Sequence, residues 1–117
     1  MNGEEKKIII NHRMAKAKNT LHEVSQLLKF GFYNNAVLRI YYACFYCVTA
    51  LLLKKDVKTK SHKGVRQMLG LHFIETGKMT RNEGAFFSDL LTKDLRVIMK
   101  ILPSLKKKLL KNSMLMQ

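Results

Sequence analysis

The chain has 117 residues, 47% of them hydrophobic, and carries 22 Lys and Arg against 8 Asp and Glu, a formal net charge of +14. This length predicts one domain over residues 1–117 with a modest core, and a single proline without long Gly/Ser stretches argues against linkers and disorder. A secretory pattern is missing and only two cysteines are present, so we expect a cytoplasmic protein with reduced thiols.

The first predicted helix runs from about Lys7 to Phe30. Its apolar residues recur at steps of four and three, as on one face of an amphipathic helix. Gly31 is predicted to end it, since glycine readily adopts the backbone conformation that follows a helix. The predicted apolar face consists of Ile10, Met14, Ala17, Leu21, Val24 and Leu28.

The second predicted helix, from about Asn34 to Lys55, is apolar on nearly every side and has one fixed charge, Arg39, near its start. Such a helix is either a membrane span or the central helix of a bundle. The run without a charge from Ile40 to Leu53 is 14 residues long, which is short for a span. We therefore predict a buried central helix and no membrane contact.

This helix also holds polar side chains that need partners. Tyr41, Tyr42 and Tyr46 are unusual in so apolar a helix, because buried hydroxyls are normally hydrogen-bonded. Cys44 and Cys47 lie one turn apart but lack the second ligand pair of a zinc site. We expect both to be buried, reduced thiols, and we predict no metal site and no cofactor.

Two shorter helices follow a polar, basic loop at residues 56–60. Ser61 is predicted to cap the third helix, which places three apolar side chains on one face and ends near Gly77. Thr80 and Glu83 have the spacing of a capping box for the fourth helix, which Pro103 should stop. These pieces predict an all-α fold, an antiparallel up-and-down bundle of four to five helices. The expected core positions are Val65, Leu69 and Phe73, then Phe87, Leu90 or Leu91, Ile98 and Ile101.

Several short motifs occur in order along these helices. R-x-Y-Y-A-x-F spans Arg39–Phe45, A-L-L spans Ala50–Leu52, and S-H-K-G spans Ser61–Gly64. They resemble a small prokaryotic subgroup of the HEPN proteins (higher eukaryotes and prokaryotes nucleotide-binding), and Phe73–Gly77 is similar to that family's next segment. The resemblance covers about residues 10–92 and implies the HEPN helical bundle.

The resemblance also carries functional expectations. It implies a homodimer and a nucleotidyltransferase partner, as in toxin–antitoxin modules. We therefore expect a HEPN protein that serves as the binding component of such a module and recognises nucleotide, RNA or that partner protein. The alternative is an RNA-cleaving HEPN toxin that uses general acid–base chemistry.

The first candidate ligand-binding residues lie on the central helix. Arg39 suits phosphate or carboxylate, because its planar guanidinium presents several donors, although a structural ion pair is the alternative. Tyr42 and Tyr46 are four residues apart and share a helix face, where they can stack. Their alternative role is core packing with satisfied hydroxyls.

A second candidate group begins the third helix. Ser61, His62 and Lys63 follow a basic loop, and a helix start favours anions through its free N–H groups. His62 can also act as an acid or base near neutral pH. Capping and solvated charge are the alternative roles of these residues.

Arg66 and His72 are weak candidates for catalysis. HEPN ribonucleases use R-x(4–6)-H late in the fold, and this pair has five intervening residues but lies on the third helix, one element too early. The remaining histidines, His12 and His22, have no companions at metal-ligand spacing.

Residues 93–117 depart from the family pattern and hold seven Lys and Arg against one Asp. The subgroup usually continues with R-x-x-G-D-Y-x-D-F. Back-translation from Thr92 with suitable codons, read two bases in, gives K-R-L-K-G-D-Y-E-D-F. We hypothesise that residues 93–117 are a frameshifted, non-native tail, with a divergent basic tail as the alternative. In the first case their charge is not a nucleic-acid signal.

Overall fold

A computed structural model of the chain describes residues 2–59, 61–92, 94, 96–98, 100 and 103. The described part is an all-α bundle without strands, as the hydrophobic periodicity predicts. Its elements are α1 (Gly3–Lys29), α2 (Tyr33–Lys54), α3 (His62–Leu69), a π-helical turn (Gly70–Ile74) and α4 (Arg81–Leu91).

The ends of α1 are set by local backbone chemistry. The Asn2 side chain accepts a hydrogen bond from the Glu5 amide, so α1 begins four residues before the predicted Lys7. At the other end Gly31 adopts φ 79°, as predicted for the residue that follows a helix. The chain thereby turns back, and α2 packs antiparallel against α1.

Side-chain caps start α3 and α4 where the sequence predicts them. The Ser61 hydroxyl accepts a hydrogen bond of 2.9 Å from the Gly64 amide. A Cβ atom at Gly64 would lie 2.8 Å from the Ser61 hydroxyl, so glycine keeps room for this cap. Thr80 and Glu83 form both hydrogen bonds of the capping box, at 3.1 and 3.2 Å.

The core lies around α2, whose side chains α1, α3 and α4 cover. This helix is long and apolar enough to cross a membrane by length and composition, yet 61% of that stretch is buried inside the bundle. A central bundle helix has the same properties. The most deeply buried side chains include Val24, Leu28, Ile40, Tyr41, Val48, Leu52, Val65, Leu69, Leu91 and Ile98.

The predicted apolar face of α1 is wrong at two positions. Met14 and Leu21 are 38% and 36% exposed, whereas Ala17, Val24 and Leu28 are buried. Among the described elements α1 packs chiefly against α2. One neighbouring helix covers a narrow stripe, so apolar residues on the flank of that stripe remain accessible.

The prediction that the fourth helix continues to Pro103 is also wrong. α4 ends at Leu91, and Pro103 itself has helical backbone. The Thr92 hydroxyl accepts a hydrogen bond from the Asp94 amide, and the Asp94 carboxylate accepts one of 2.9 Å from the Arg96 amide. Short polar side chains that bond nearby backbone compete with a continuous helix, which explains the break.

Within the tail, residues 96–98 are helical and Ile98 is only 1% exposed, as the apolar pattern predicts. Ile101 and most of residues 93–117 lie outside the described part of the chain. The frameshift hypothesis therefore stays a hypothesis.

Candidate functional site

A line of side chains joins α1 to α2 along the surface. The Glu23 carboxylate lies 3.5 Å from the Arg39 guanidinium. The Lys16 ammonium lies 4.9 Å from the centroid of the Tyr46 ring. These cross-helix contacts bring charged groups of α1 onto the tyrosine-bearing face of α2.

Further contacts continue this line toward the α2–α3 loop. Arg13 donates a hydrogen bond of 3.3 Å to the Thr49 carbonyl, and Lys6 forms an ion pair of 2.8 Å with Asp56. We call this line the seam. It consists of Glu23, Lys16, Arg13 and Lys6, which meet Arg39, Tyr46, Thr49 and Asp56 in that order.

The register of the seam follows from antiparallel helix packing. From Glu23 to Lys16 the step is seven residues backward, and from Arg39 to Tyr46 it is seven residues forward. Steps of three, four and seven residues return to the same side of an α-helix. The seam is therefore one continuous face along the α1–α2 contact, exposed at Arg39 and Lys16 and buried at Thr49.

Tyr42 lies on this face beside Tyr46. Their ring centroids are 6.4 Å apart with an interplanar angle of 26°, so the rings stack as their four-residue spacing allows. Both side chains are half-buried. Tyr41 meets the Tyr42 ring edge-on, with ring centroids 5.2 Å apart.

A surface groove of about 680 Å³ opens at the Arg39 end of the seam. Within it, the Arg39–Glu23 ion pair is exposed, because both side chains keep more than half of their accessible surface. Exposed pairs contribute at most about 1 kcal/mol, so an anionic ligand can displace Glu23 from the guanidinium. The groove is lined by His22, Glu23, Gln26, Leu27, Asn35, Leu38, Arg39 and Tyr42.

A smaller groove of about 210 Å³ lies further along the seam, at the contact between Arg13 and Thr49. Arg13 and Lys58 supply its positive charge, and Thr49 and Thr59 are also among its lining residues. The seam thus combines a cation with an open groove at two positions, Arg39 and Arg13. The lining residues are Arg13, Thr49, Leu52, Leu53, Val57, Lys58 and Thr59.

His62 occupies a different face, at the start of α3. Its ring nitrogen Nδ1 shares a hydrogen bond with the hydroxyl of Tyr41, which is only 1% exposed. Burial raises the pKa of the Tyr41 phenol, so that hydroxyl stays protonated. Phe45 also contacts the imidazole, at 5.2 Å between ring centroids. The central helix therefore orients an otherwise exposed imidazole.

The remaining candidates of that group have simpler surroundings. The Ser61 hydroxyl is used in the helix cap, and Lys63 is exposed. Arg39, Tyr42 and Tyr46 thus come together on the seam, whereas Ser61, His62 and Lys63 form a second surface at α3.

Arg66 and His72 are not aligned on one face. Six helical residues correspond to about 9 Å along the axis and about a third of a turn around it. Arg66 is exposed on α3, whereas His72 is half-buried in the π-helical turn. This geometry does not favour a shared role in catalysis, and their assignment stays a prediction.

The two cysteines behave as core residues. Cys44 is buried and Cys47 is half-buried, and burial raises the pKa of both thiols. Among the residues that the structure describes, no cluster of His, Cys, Asp and Glu could hold a metal ion.

The seam partners on α1 were missed by sequence reasoning. Lys16, Arg13 and Glu23 carry no motif, and only the antiparallel register brings them to Tyr46, Thr49 and Arg39. For Tyr41 a signal was present, since a tyrosine in an apolar helix needs a partner. His62 as that partner could not be read from the sequence.

Comparison with known proteins gives a family match across most of the chain. A family model described as "HEPN domain" matches residues 10–105. A "UPF0332 protein" of Thermotoga maritima is 39% identical over 84 residues, which cover 72% of this chain and 64% of that protein. No solved structure gives a significant match.

Two further relatives are archaeal. A protein of Methanocaldococcus jannaschii named "Putative toxin" is 45% identical over 64 residues, covering 55% of this chain and 44% of that protein. A "UPF0332 protein" of Pyrococcus horikoshii is 40% identical over 55 residues, which cover 47% of this chain and 39% of that protein. The chain spans less than two thirds of the length of these curated relatives.

Proposed function

The chain belongs to the HEPN domain family. From that premise we propose that it is the binding component of a toxin–antitoxin-like module. In this proposal, the groove beside Arg39 holds the phosphate and base of a nucleotide unit. One observation carries this proposal: Arg39 and Tyr42 line the same open groove. A guanidinium binds phosphate through two parallel hydrogen bonds, and an aromatic ring accepts a base by stacking.

The module itself is supported by the relatives. Two proteins of Methanocaldococcus jannaschii that align with this chain are named "Putative toxin". A nucleotidyltransferase partner, a homodimer and a cytoplasmic location complete the proposal. It predicts a nucleotidyltransferase gene beside this one and a complex that survives co-purification. An isolated gene whose product never associates with such a protein would contradict the module.

Binding of a labelled RNA tests the groove directly. We expect a 5′-fluorescein-labelled 12-nucleotide RNA of mixed sequence to bind, as measured by fluorescence anisotropy. Arg39→Gln should weaken binding about tenfold, because a hydrogen bond to a charged group contributes about 1.5 kcal/mol. Arg81→Gln is the control, since Arg81 is exposed on α4 and its loss changes the net charge equally. Equal effects of the two changes would mean that Arg39 has no special role.

RNA cleavage is the second candidate function, and the part-buried hydrogen bond between Tyr41 and His62 favours it. An imidazole held at a helix start can exchange protons with a nearby phosphodiester near neutral pH. His62→Ala should then abolish cleavage of an RNA substrate, and His72→Ala and Arg66→Ala test the pair predicted from the sequence. Cleavage that survives all three changes would exclude these residues as the catalytic groups.

A further inference from the structure

We infer that the whole seam is a binding strip for single-stranded RNA, with phosphates at Arg39, Lys16 and Arg13 and a base on Tyr42. This inference rests on the proposed function and specifies the form of its ligand. The contacts that define the strip join α1 to α2 from one groove to the other.

The spacing of the cations fits a strand that follows the helix axes. Arg13 and Glu23, the partner of Arg39, are ten residues apart on α1, so the two guanidinium groups are separated by about 15 Å along the axis at 1.5 Å per residue. Grooves of about 680 and 210 Å³ open at the two ends of this distance. A short extended strand of about four nucleotides, at the low end of single-strand sites, is of suitable length.

Charged side chains and aromatic rings lie next to one another along the strip. The Lys16 ammonium lies over the Tyr46 ring, and Tyr46 stacks on Tyr42 toward the Arg39 groove. Proteins that bind single strands combine a cationic track for the backbone with aromatic rings on which bases stack. The seam presents both in one line.

An unpaired strand fits this surface better than a duplex or a mononucleotide. In a duplex the bases are stacked on one another and their faces cannot reach a half-buried ring such as Tyr42. A mononucleotide would occupy the Arg39 groove alone and would leave Lys16 and Arg13 without a phosphate.

Glu23 sets the affinity of the strip. Its carboxylate lines the Arg39 groove and lies 3.5 Å from the guanidinium, so it competes with an incoming phosphate for the same donors. Because the ion pair is exposed and weak, a phosphate can displace Glu23 from Arg39. Breaking the ion pair lowers the net affinity for the phosphate. Removing the Glu23 charge should therefore strengthen RNA binding.

The test compares three fluorescein-labelled probes by anisotropy: the 12-nucleotide single strand, a blunt RNA duplex that contains it, and AMP. We expect the single strand to bind at least about tenfold more tightly than either of the others, because its bases can stack on the seam. Lys16→Gln should weaken single-strand binding about fivefold and lower its dependence on salt, since one fewer phosphate is neutralised. Lys18→Gln is the matched control, because Lys18 is exposed on α1 outside the seam.

Substitution of Glu23 should change the affinity for the single strand in the opposite direction. Glu23→Gln should strengthen binding about threefold through loss of repulsion, whereas Glu4→Gln, an exposed change at the start of α1, should have little effect. Thermal melting checks that each variant remains folded. Equal effects of Lys16→Gln and Lys18→Gln, or equal affinity for strand and duplex, would overturn the binding strip. If Arg39→Gln still weakened binding in that case, the proposed nucleotide site in the Arg39 groove would stand. Failure of every probe to bind would overturn the proposed function itself.

Discussion

Tyr41 is the residue at which the central helix makes its buried polar contact with the start of α3. Its hydroxyl and the His62 imidazole share a hydrogen bond, and the Tyr41 ring also packs against Phe45. A buried hydroxyl without a partner would cost about 1–3 kcal/mol. This contact therefore helps to explain how a tyrosine hydroxyl is tolerated in the core.

A double-mutant cycle tests that contact. Tyr41→Phe should lower the free energy of unfolding by about 1 kcal/mol, because one hydrogen bond is lost while the ring still fills its site. His62→Ala removes the other partner, and the double variant should show a coupling energy of at least about 0.5 kcal/mol. Urea denaturation measures all four proteins. Strictly additive losses would mean that the hydroxyl and imidazole do not stabilise each other.

The buried thiol of Cys44 makes the free energy of unfolding depend on pH in the alkaline range. Burial raises the pKa of its thiol above the ordinary value of 9.0, so the unfolded chain loses this proton first. The folded state then binds more protons than the unfolded state, and stability falls as pH rises above about 9. Below that pH the contribution of the neutral buried thiol is fully present.

A comparison of the wild type with Cys44→Ala tests this pH dependence. We expect the difference in their free energies of unfolding to change with pH. The advantage of the wild type in free energy of unfolding should shrink above pH 9 by up to about 1.4 kcal/mol per pH unit. Urea denaturation at pH 7.5, 9.5 and 10.5 measures it, and comparison with the variant cancels the titration of lysines. An advantage that stays constant with pH would show that the Cys44 thiol ionises equally in both states.

At the scale of elements, α4 and the π-helical turn pack so closely that a side chain at Gly84 would displace Ile74. A Cβ atom at Gly84 would lie 2.5 Å from Cγ1 of Ile74, which is closer than real carbon contacts. Glycine costs a helix about 1 kcal/mol relative to alanine. The contact between the two elements must outweigh that cost.

Two glycine substitutions separate these effects. Gly84→Ala should destabilise the protein by up to about 2 kcal/mol, since overpacking exceeds the gain in helix propensity. Gly70→Ala should stabilise it by about 0.5–1 kcal/mol, because its backbone is helical and no atom lies within 4 Å of the added methyl group. Thermal and urea denaturation give both values. Stabilisation by Gly84→Ala would mean that Ile74 moves aside without loss.

At the scale of the whole molecule, the tail contributes to the core despite its unusual composition. Ile98 is 1% exposed and belongs to the same buried cluster as Leu90 and Val65. Asp94 starts the helical stretch that carries it, through hydrogen bonds to the amides of Arg96 and Ile98. The side-chain bond also lowers the pKa of the Asp94 carboxyl, because the Arg96 amide stabilises the charged form.

Ile98→Ala tests whether the tail is part of the folded domain. We expect a loss of about 2–4 kcal/mol in the free energy of unfolding, the usual effect of removing a buried aliphatic side chain. Leu71→Ala is the control, since Leu71 is 48% exposed and its truncation leaves no cavity. A neutral Ile98→Ala would mean that the tail does not pack on the bundle.

The frameshift hypothesis is decided by the gene. Codons from Leu91 to Met99 that encode K-R-x-K-G-D-Y-E-D-F in the second frame would make residues 93–117 non-native, and the binding experiments should then be repeated on the repaired protein. Codons that cannot encode this motif would leave a genuine basic tail, which adds six of the fourteen net positive charges. Its lysines would then strengthen binding to polyanions in a salt-dependent manner.

The amino-acid sequence by itself determined the helices, most of their ends and the family. Capping boxes, helix-terminal glycines and apolar periodicity act within a few residues, so Ser61, Thr80 and Gly31 could be assigned without knowledge of neighbours. The stacking of Tyr42 on Tyr46 is equally local. Only the tertiary structure decided how wide the buried stripe of α1 is and which groups meet across the seam, because the antiparallel register joins residues as distant as Lys6 and Asp56, 50 positions apart.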